Sequence, residues 1–121
     1  MFRLEKEFKF EAAHRLPQHD GKCQRLHGHS WRGRLIVEGA WLEQSGPKAG
    51  MLVDYGDLAT AVQPLLDSCL DHHDLNSTTG LENPTSECLA RWVYDRLKPA
   101  IQGLVAVQID ETCTSRAEYR P

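Results

Sequence analysis

Two long stretches near the start of the chain alternate between apolar and polar residues. From Phe2 to His14, Phe8 and Phe10 alternate with charged neighbours, a period of two that is typical of a half-buried β-strand. The stretch from His27 to Gly39 has the same period. One face of this second strand would carry His27, His29, Trp31, Gly33, Leu35 and Val37. The pattern therefore predicts two strands, with one histidine ending the first and two on the same face of the second.

The middle of the chain changes to helical spacing after a turn-rich segment, 44–50. Asp54 can cap a helix there. The apolar face of this helix would carry Leu58, Val62, Leu65, Leu66 and Cys69. Pro64 lies inside the pattern and lacks a backbone N–H, so we expect a kink or a break at that point. A loop over residues 71–80 is predicted to follow.

A second helix and two further strands complete the pattern. The segment Asn-Pro-Thr-Ser-Glu at 83–87 is typical of a helix start. The apolar residues after it recur at helical spacing: Leu89, Trp92, Val93 and Leu97. Alternation returns at 105–109, which predicts a third strand, and residues 116–120 can add a short fourth one.

The element order is therefore ββααββ, which predicts an antiparallel α+β fold. No repeat, low-complexity tract or linker divides the chain, so we expect residues 1–121 to form one domain. A four-stranded sheet has two exposed edges, and pairing with other subunits would protect them. The sequence thus favours a homo-oligomer.

Composition narrows the class of protein. No stretch approaches the roughly 20 apolar residues of a membrane span, and the N-terminus lacks the apolar run of a signal peptide. The four cysteines form no C-x-x-C pair, so we expect reduced thiols and a cytoplasmic protein without membrane contact. The net charge of −3 argues against a nucleic-acid partner. Residues 1–34 nevertheless hold eight Lys/Arg against four Asp/Glu, which suits either a small anion or an ordinary mixed surface.

Three histidines are the first candidates for chemistry. His27 and His29 share one strand face, and His14 ends the neighbouring strand. Three nitrogen ligands with a fourth position open is how catalytic zinc is usually held. The alternative is that these histidines only make hydrogen bonds at strand ends. The spacing indicates a Zn²⁺ site with Lewis-acid character.

Other candidates are a thiol, an acid/base pair and a carboxylate. Cys23 lies between Lys22 and Arg25, where positive charge and a nearby metal would favour the thiolate, and it could serve as a base or nucleophile. Asp71 and His72 offer an oriented acid/base, or simply a loop hydrogen bond. Glu111 ends an apolar strand and could grip a planar, amidine-like edge, or it could face water. We interpret Cys69, Cys88 and Cys113 as small buried residues.

Five motifs, taken together and in this order, resemble the 6-pyruvoyltetrahydropterin synthase family. They are FEAAH at 10–14, C-x3-HGH at 23–29, LDHHDLN at 70–76, ENPTSE at 82–87 and ETCT at 111–114. The resemblance implies a tunnelling fold, in which two-layer ββααββ subunits with two helices on one sheet face associate as barrel-like trimers, usually stacked as hexamers. Active sites would lie at subunit interfaces.

The resemblance also implies roles for individual residues. By motif position, the zinc ligands would be His14, His27 and His29, the catalytic cysteine Cys23, its partner dyad Asp71 and His72, and the pterin anchor Glu111. His73 matches no catalytic role. Lys22, Arg25 and Arg116 are candidates to contact the triphosphate of the implied substrate, 7,8-dihydroneopterin triphosphate.

Two branches of the family differ in the fate of the substrate's side chain. In the carboxy branch, loss of triphosphate and carbon–carbon cleavage release acetaldehyde and leave a carboxylate at C6 of the pterin, a step towards 7-deazapurines such as queuosine. In the pyruvoyl branch the side chain stays whole. Cys23 argues against a variant branch that has glutamate there, and the short chain with its HGH, LDHH and ENPTSE motifs favours the carboxy branch.

Two other classes of function remain open on the sequence. A noncatalytic zinc-stabilised binding module would normally close its site with a fourth ligand. A zinc hydrolase would use a general-base carboxylate near the metal, but no H-E-x-x-H helix accompanies these histidines. Both alternatives predict little effect of Cys23→Ala on activity, whereas a synthase predicts a large one.

Overall fold

The two predicted N-terminal strands form one long antiparallel hairpin. In the computed structural model, which describes all residues 1–121, β1 spans Phe2–His14 and β2 spans His27–Gly39. Their register runs from the pair Phe2 and Gly39 to the pair His14 and His27. The alternation buries Phe8, Phe10, Trp31, Leu35 and Val37 on one face of the sheet. Gly33 lies so close to the Phe8 ring that a Cβ there would overlap it.

Three helices cover the apolar face of the sheet. They are α1 (Tyr55–Leu65), α2 (Leu75–Thr79) and α3 (Ser86–Leu97). Caps fix where the two long helices begin, because Asp54 Oδ1 accepts from Gly56 N at 2.8 Å and Thr85 Oγ1 accepts from Cys88 N at 3.2 Å. One continuous hydrophobic core results, and its helical members include Leu58, Val62, Leu89, Val93 and Leu97. None of the helices has the length and apolar character needed to cross a membrane.

The kink or break predicted at Pro64 takes the form of a change in helix type, because the chain stays helical through Pro64. The α-helix ends at Leu65, and the chain continues through a wider π-helical turn, Leu66–Leu70. Because Pro64 cannot donate a backbone hydrogen bond, the regular ladder is interrupted near it. Ser68 Oγ donates to the Pro64 carbonyl at 2.7 Å within this turn.

The C-terminal strands extend the hairpin on one side only. β4 spans Leu104–Thr112 and pairs antiparallel with β2, while β5 spans Ser115–Tyr119 and pairs antiparallel with β4. A two-residue strand, β3 (His73–Asp74), lies parallel to β1, so the strand order is β3-β1-β2-β4-β5. Most of β1 and all of β5 therefore form the edges of the sheet.

The predicted α+β class is confirmed, with two local corrections. The segment 71–80, expected to be a loop, contains β3 and α2, and the sheet is therefore mixed rather than purely antiparallel. Tertiary pairing with β1 supplies the parallel strand, and Asp74 caps α2 by accepting from Asn76 N at 3.1 Å. Both elements are too short to leave a periodic signal in the sequence.

Candidate metal centre and active site

The three histidines meet at one end of the β1–β2 hairpin. The strand register pairs His14 with His27 and Ala12 with His29. Their potential ligand nitrogens all lie within 4.8 Å of one another. His14 is fully buried, and His27 and His29 are half-buried. The structure therefore brings together the three side chains that the sequence proposed as metal ligands.

Backbone carbonyls orient two of these imidazoles. His14 Nδ1 donates to the Pro84 carbonyl at 2.8 Å, and His27 Nδ1 donates to the Arg25 carbonyl at 2.7 Å. A carbonyl oxygen can only accept, so in each neutral ring the proton belongs on Nδ1 and the lone pair on Nε2. A hydrogen bond from the ring nitrogen that does not face the metal to a backbone carbonyl is typical of metal-binding histidines. Sequence reasoning did not identify Pro84 as an orienting group, although ENPTSE was among the motifs.

The chemistry of the three nitrogens fits a divalent metal. His14 Nε2 and His29 Nε2 are buried and accept or donate no hydrogen bond. Burial is the largest cause that lowers the pKa of both His14 and His29, which favours the neutral imidazole that binds metals. Trp31 supports both rings edge to face, at 5.0 and 5.3 Å between centroids, and is itself fixed by donation to the Ala12 carbonyl at 3.1 Å.

Glu111 lies against this cluster rather than facing open water. Its Oε1 is 3.4 Å from His14 Nε2 and 3.5 Å from His29 Nε2. The side chain is 31% exposed. The sequence identified Glu111 as a candidate but gave no indication that it would lie beside the histidines, because that proximity depends on the long-range pairing of β2 with β4.

Asp71 and His72 form the pair that the sequence proposed. Asp71 Oδ2 is 3.0 Å from His72 Nδ1, and Asp71 Oδ1 accepts from Glu11 N at 2.9 Å. The hydrogen bond from Glu11 N is the largest cause that lowers the pKa of Asp71, so this carboxylate stays ionised. The His72 ring is 79% exposed. His73 Nε2 instead donates to the Asp67 carbonyl at 2.8 Å, which gives it a structural contact.

Cys23 occupies a short 3₁₀ turn, Lys22–Gln24, between the two long strands. It is half-buried, and its sulfur is not within 4.8 Å of all three histidine nitrogens. Cys69 is half-buried and packs against the core, as expected. Cys88 and Cys113 are exposed, so their interpretation as buried residues was wrong. Cys88 lies in the first turn of α3, and Cys113 lies in the turn between β4 and β5.

Two cavities border His29. One, of about 560 Å³, connects it with His72 and His73. The other, of about 400 Å³, connects it with Glu111 and with three arginines, Arg32, Arg34 and Arg116. A larger cavity, of about 610 Å³, lies at the opposite end of β2 and contains none of the predicted site residues. The donor chemistry, rather than cavity size, therefore locates the candidate site at the histidines.

Arg116 is already engaged by a carboxylate. Its Nε donates to Asp110 Oδ1 at 2.7 Å, and Arg34 donates to both oxygens of Asp110 at 3.1–3.2 Å. Burial raises the pKa of Asp110, but these two arginines outweigh that effect and hold the pKa below its usual value. The cavity beside Glu111 thus has a wall of arginines, two of which are held by Asp110.

Comparison with known proteins gives a consistent result. The family described as 6-pyruvoyl tetrahydropterin synthase matches residues 3–121. A protein of Synechocystis sp. named 6-carboxy-5,6,7,8-tetrahydropterin synthase is 49% identical over 98% of this chain and 93% of its own. A Haemophilus influenzae protein of the same name is 36% identical over 99% of both chains.

The fold agrees with these sequence relationships. The solved structure of 6-pyruvoyl tetrahydropterin synthase from Caenorhabditis elegans superposes with a TM-score of 0.83 at 27% identity, covering 99% of this chain and 95% of its own. The expected tunnelling fold is therefore confirmed. The match covers the hairpin, the helices and the C-terminal strands, and with them every candidate residue. The chain belongs to the 6-pyruvoyl tetrahydropterin synthase family.

Proposed function

We propose that this chain is a zinc-dependent carbon–carbon lyase that acts on 7,8-dihydroneopterin triphosphate. With one water consumed, its products would be 6-carboxy-5,6,7,8-tetrahydropterin, acetaldehyde and triphosphate, in a route to queuosine and other 7-deazapurines. The observation that carries the proposal is the near full-length likeness to proteins named 6-carboxy-5,6,7,8-tetrahydropterin synthase, joined to the cluster of His14, His27 and His29.

The metal proposal is supported by the orientation of the three imidazoles. Each neutral ring whose Nδ1 is bonded to a carbonyl turns an Nε2 lone pair away from that carbonyl, and two Nε2 atoms of the cluster are buried without other partners. Zinc held there would act as a Lewis acid that lowers the pKa of the side-chain hydroxyls of the substrate. Nitrogen donors of this type suit zinc well.

The chain's own residues would bind the pterin and move protons. Glu111 would accept two hydrogen bonds from the 2-amino and N3 edge of the pterin, as a carboxylate does with any amidine-like group. Cys23 and His72 would exchange protons with the side chain and ring, while Asp71 keeps His72 in one tautomer through its contact with Nδ1. Because the His72 ring is highly exposed, we propose that it acts on substrate bound at the histidine cluster of a neighbouring subunit.

Assembly completes this proposal. We expect a single-domain subunit whose unprotected edges, β1 and β5, pair with other copies in a trimer or hexamer. The active site would then combine His14, His27, His29 and Cys23 of one subunit with Asp71 and His72 of the next. The exposed positions of Asp71 and His72 support such an arrangement.

A second candidate is the pyruvoyl reaction, in which triphosphate is eliminated and the side chain is retained. The description of the matching family and the Caenorhabditis elegans structure favour it, since both carry the 6-pyruvoyl name. The more similar bacterial relatives carry the 6-carboxy name, and we therefore give that reaction precedence.

Product analysis separates these reactions. Zinc-loaded protein and a Cys23→Ala control are incubated with 7,8-dihydroneopterin triphosphate, and the products are identified by mass spectrometry. A 6-carboxytetrahydropterin with an equal amount of acetaldehyde, absent from the control, would support the carboxy reaction. A 6-pyruvoyl product would replace it with the second candidate. No turnover by zinc-loaded protein would refute both and favour a noncatalytic zinc module.

A further inference from the structure

We propose that Glu111 is the fourth ligand of the metal in the substrate-free chain, and that pterin binding moves it away from the metal. The inference rests on the proposed metal site but not on which product the enzyme forms. It assigns one carboxylate two successive positions, one at the metal and one at the edge of the pterin.

Two of the three distances that a shared tetrahedral ion requires are already present. When ligand atoms lie about 2.0–2.1 Å from a tetrahedral zinc, neighbouring ligands are about 3.3–3.4 Å apart. Glu111 Oε1 is 3.4 Å from His14 Nε2 and 3.5 Å from His29 Nε2. Two edges of such a tetrahedron are therefore present around this oxygen. Glu111 is not among the residues whose ligand atoms all lie within 4.8 Å of one another, so the third edge, to His27, is longer than that. The partly exposed Glu111 side chain would have to rotate towards His27 to close it when the metal binds.

The polarity of the contact also indicates a cation. His14 Nδ1 donates to Pro84, so its Nε2 presents a lone pair, and an ionised Glu111 oxygen is an acceptor as well. Two acceptors at 3.4 Å repel each other unless a positive charge lies between them. A divalent metal shared by both atoms makes the same geometry favourable. The neighbouring Asp110 cannot supply this ligand because Arg34 and Arg116 hold its oxygens.

This position conflicts with the pterin-anchoring role unless Glu111 moves. The 2-amino and N3 edge lies across the two-ring system from C6, which bears the hydroxyl side chain that would approach the metal. A carboxylate within 3.5 Å of two metal-binding nitrogens cannot reach that far edge of the same molecule. The cavity of about 400 Å³ that Glu111 borders gives its side chain space to swing outward. Substrate would thus open a site that the free chain keeps closed.

Cobalt substitution tests the first half of the proposal without substrate. Metal-free protein is loaded with Co²⁺, and its absorption spectrum and metal affinity are measured for the wild type, Glu111→Gln and Glu118→Gln. Glu118 is a matched control because it lies on β5, away from the histidines, where its carboxylate accepts from Gln108 of β4 and from Arg120. We expect Glu111→Gln to change the visible Co²⁺ bands and weaken metal binding by at least about tenfold, while Glu118→Gln changes neither. Spectra and affinities that match in all three proteins would overturn the proposal.

A pterin without a side chain at C6 tests the second half, since it cannot offer hydroxyls to the metal. In the wild type its binding should shift the Co²⁺ spectrum towards that of free Glu111→Gln, and in Glu111→Gln it should shift nothing. Pterin binding, followed by quenching of its fluorescence, without a spectral change in the wild type would refute the movement.

A crystal structure of zinc-loaded wild type gives a check that does not depend on folding of the variant. A Glu111 oxygen within about 2.2 Å of zinc supports the proposal, and a carboxylate beyond hydrogen-bond distance overturns it. Failure of the product assay would leave these measurements unaffected, so the two proposals can fail separately.

Discussion

The histidine cluster and the Asp71–His72 pair differ in how completely one chain builds them. His14 is fully buried, its ring is fixed by Pro84 and Trp31, and it has two metal-ligating candidates beside it. Asp71 is anchored to the β1 backbone, yet the ring of His72 is 79% exposed. Rigid strands hold the first group, whereas the second occupies the connection between α1 and α2.

This difference matches two tasks of the proposed mechanism, metal binding and proton transfer. A metal centre needs ligands fixed to within a fraction of an ångström, and paired strands supply that precision. A group that shuttles protons must instead reach a substrate that enters and leaves, and an exposed imidazole can do so. We therefore expect mutations in the two regions to have separable effects on metal content and on turnover.

The largest effect is expected for His14→Ala. It removes one of three ligands, so metal affinity should fall by more than the roughly 10–100-fold that loss of an orienting partner causes, and product formation should disappear. The number of metal ions per chain is measured by mass spectrometry after gel filtration. The control is His19→Ala, which changes an exposed histidine outside the cluster. Full metal content in the His14 variant would show that the cluster is not the metal site.

Loss of the proton-transfer groups should reduce turnover but spare the metal. For Cys23→Ala and His72→Ala we expect the rate of product formation to fall by about 10²–10⁴-fold, the usual range for acid/base groups. Metal content should equal that of the wild type. His73→Ala should retain its activity, because the His73 ring donates to the Asp67 carbonyl, a structural contact. A parallel loss of metal would show that the two regions are not separable.

Mixing two inactive variants tests whether neighbouring subunits share the site. Cys23→Ala and His72→Ala proteins are dissociated, mixed in equal amounts and reassembled. If each site takes Cys23 from one subunit and His72 from the next, random assembly leaves about a quarter of the sites intact, and activity should return to about that fraction of the wild type. Reassembled oligomers without activity would place both groups of a site in one chain.

The smallest effect on catalysis is expected for Asp110, which holds two arginines in the wall of the cavity beside Glu111. Asp110→Asn leaves Arg34 and Arg116 without their carboxylate, so we expect the free energy of unfolding near neutral pH to fall by about 1–3 kcal/mol. The folded state lowers the pKa of Asp110, so its contribution is complete above the unfolded pKa of about 3.9 and is lost as pH falls through the lower folded pKa.

Urea unfolding of both proteins over a range of pH measures that difference. The two stabilities should converge in acid, where Asp110 is protonated in the wild type. A gap that stays constant down to the lowest pH at which the wild type folds would contradict the assigned ion pairs.

The sequence predicted the elements that have a regular apolar–polar period. It missed the elements that depend on contacts between distant parts of the chain. The alternation in β1 and β2 was long enough to place both strands and their histidines correctly, and Pro64 marked the end of α1. The two-residue strand β3 exists only because it pairs with β1, and no local pattern indicates that pairing. Short elements of this kind are decided by tertiary contacts.

The candidate site shows the same limit. Residue types and motif order were sufficient to propose His14, His27 and His29 as neighbours, because all three belong to one hairpin. The position of Glu111 required knowledge of how β4 pairs with β2, whose partner residues are 67 to 78 positions apart in the chain. The exposed environment of Cys113 depends on the turn after β4, which the sequence also did not reveal.

His72 is the one non-glycine residue with a positive φ, 60°, and it carries the imidazole of the proposed dyad. Such a backbone costs a side chain other than glycine on the order of 1 kcal/mol, and asparagine or glycine tolerates it better. A laboratory selection for heat resistance alone would therefore favour replacing His72 with one of these residues. The more stable protein would fold well and keep its metal, but it would lose the proposed acid/base group. A stability screen of this family member must therefore also measure product formation at every round.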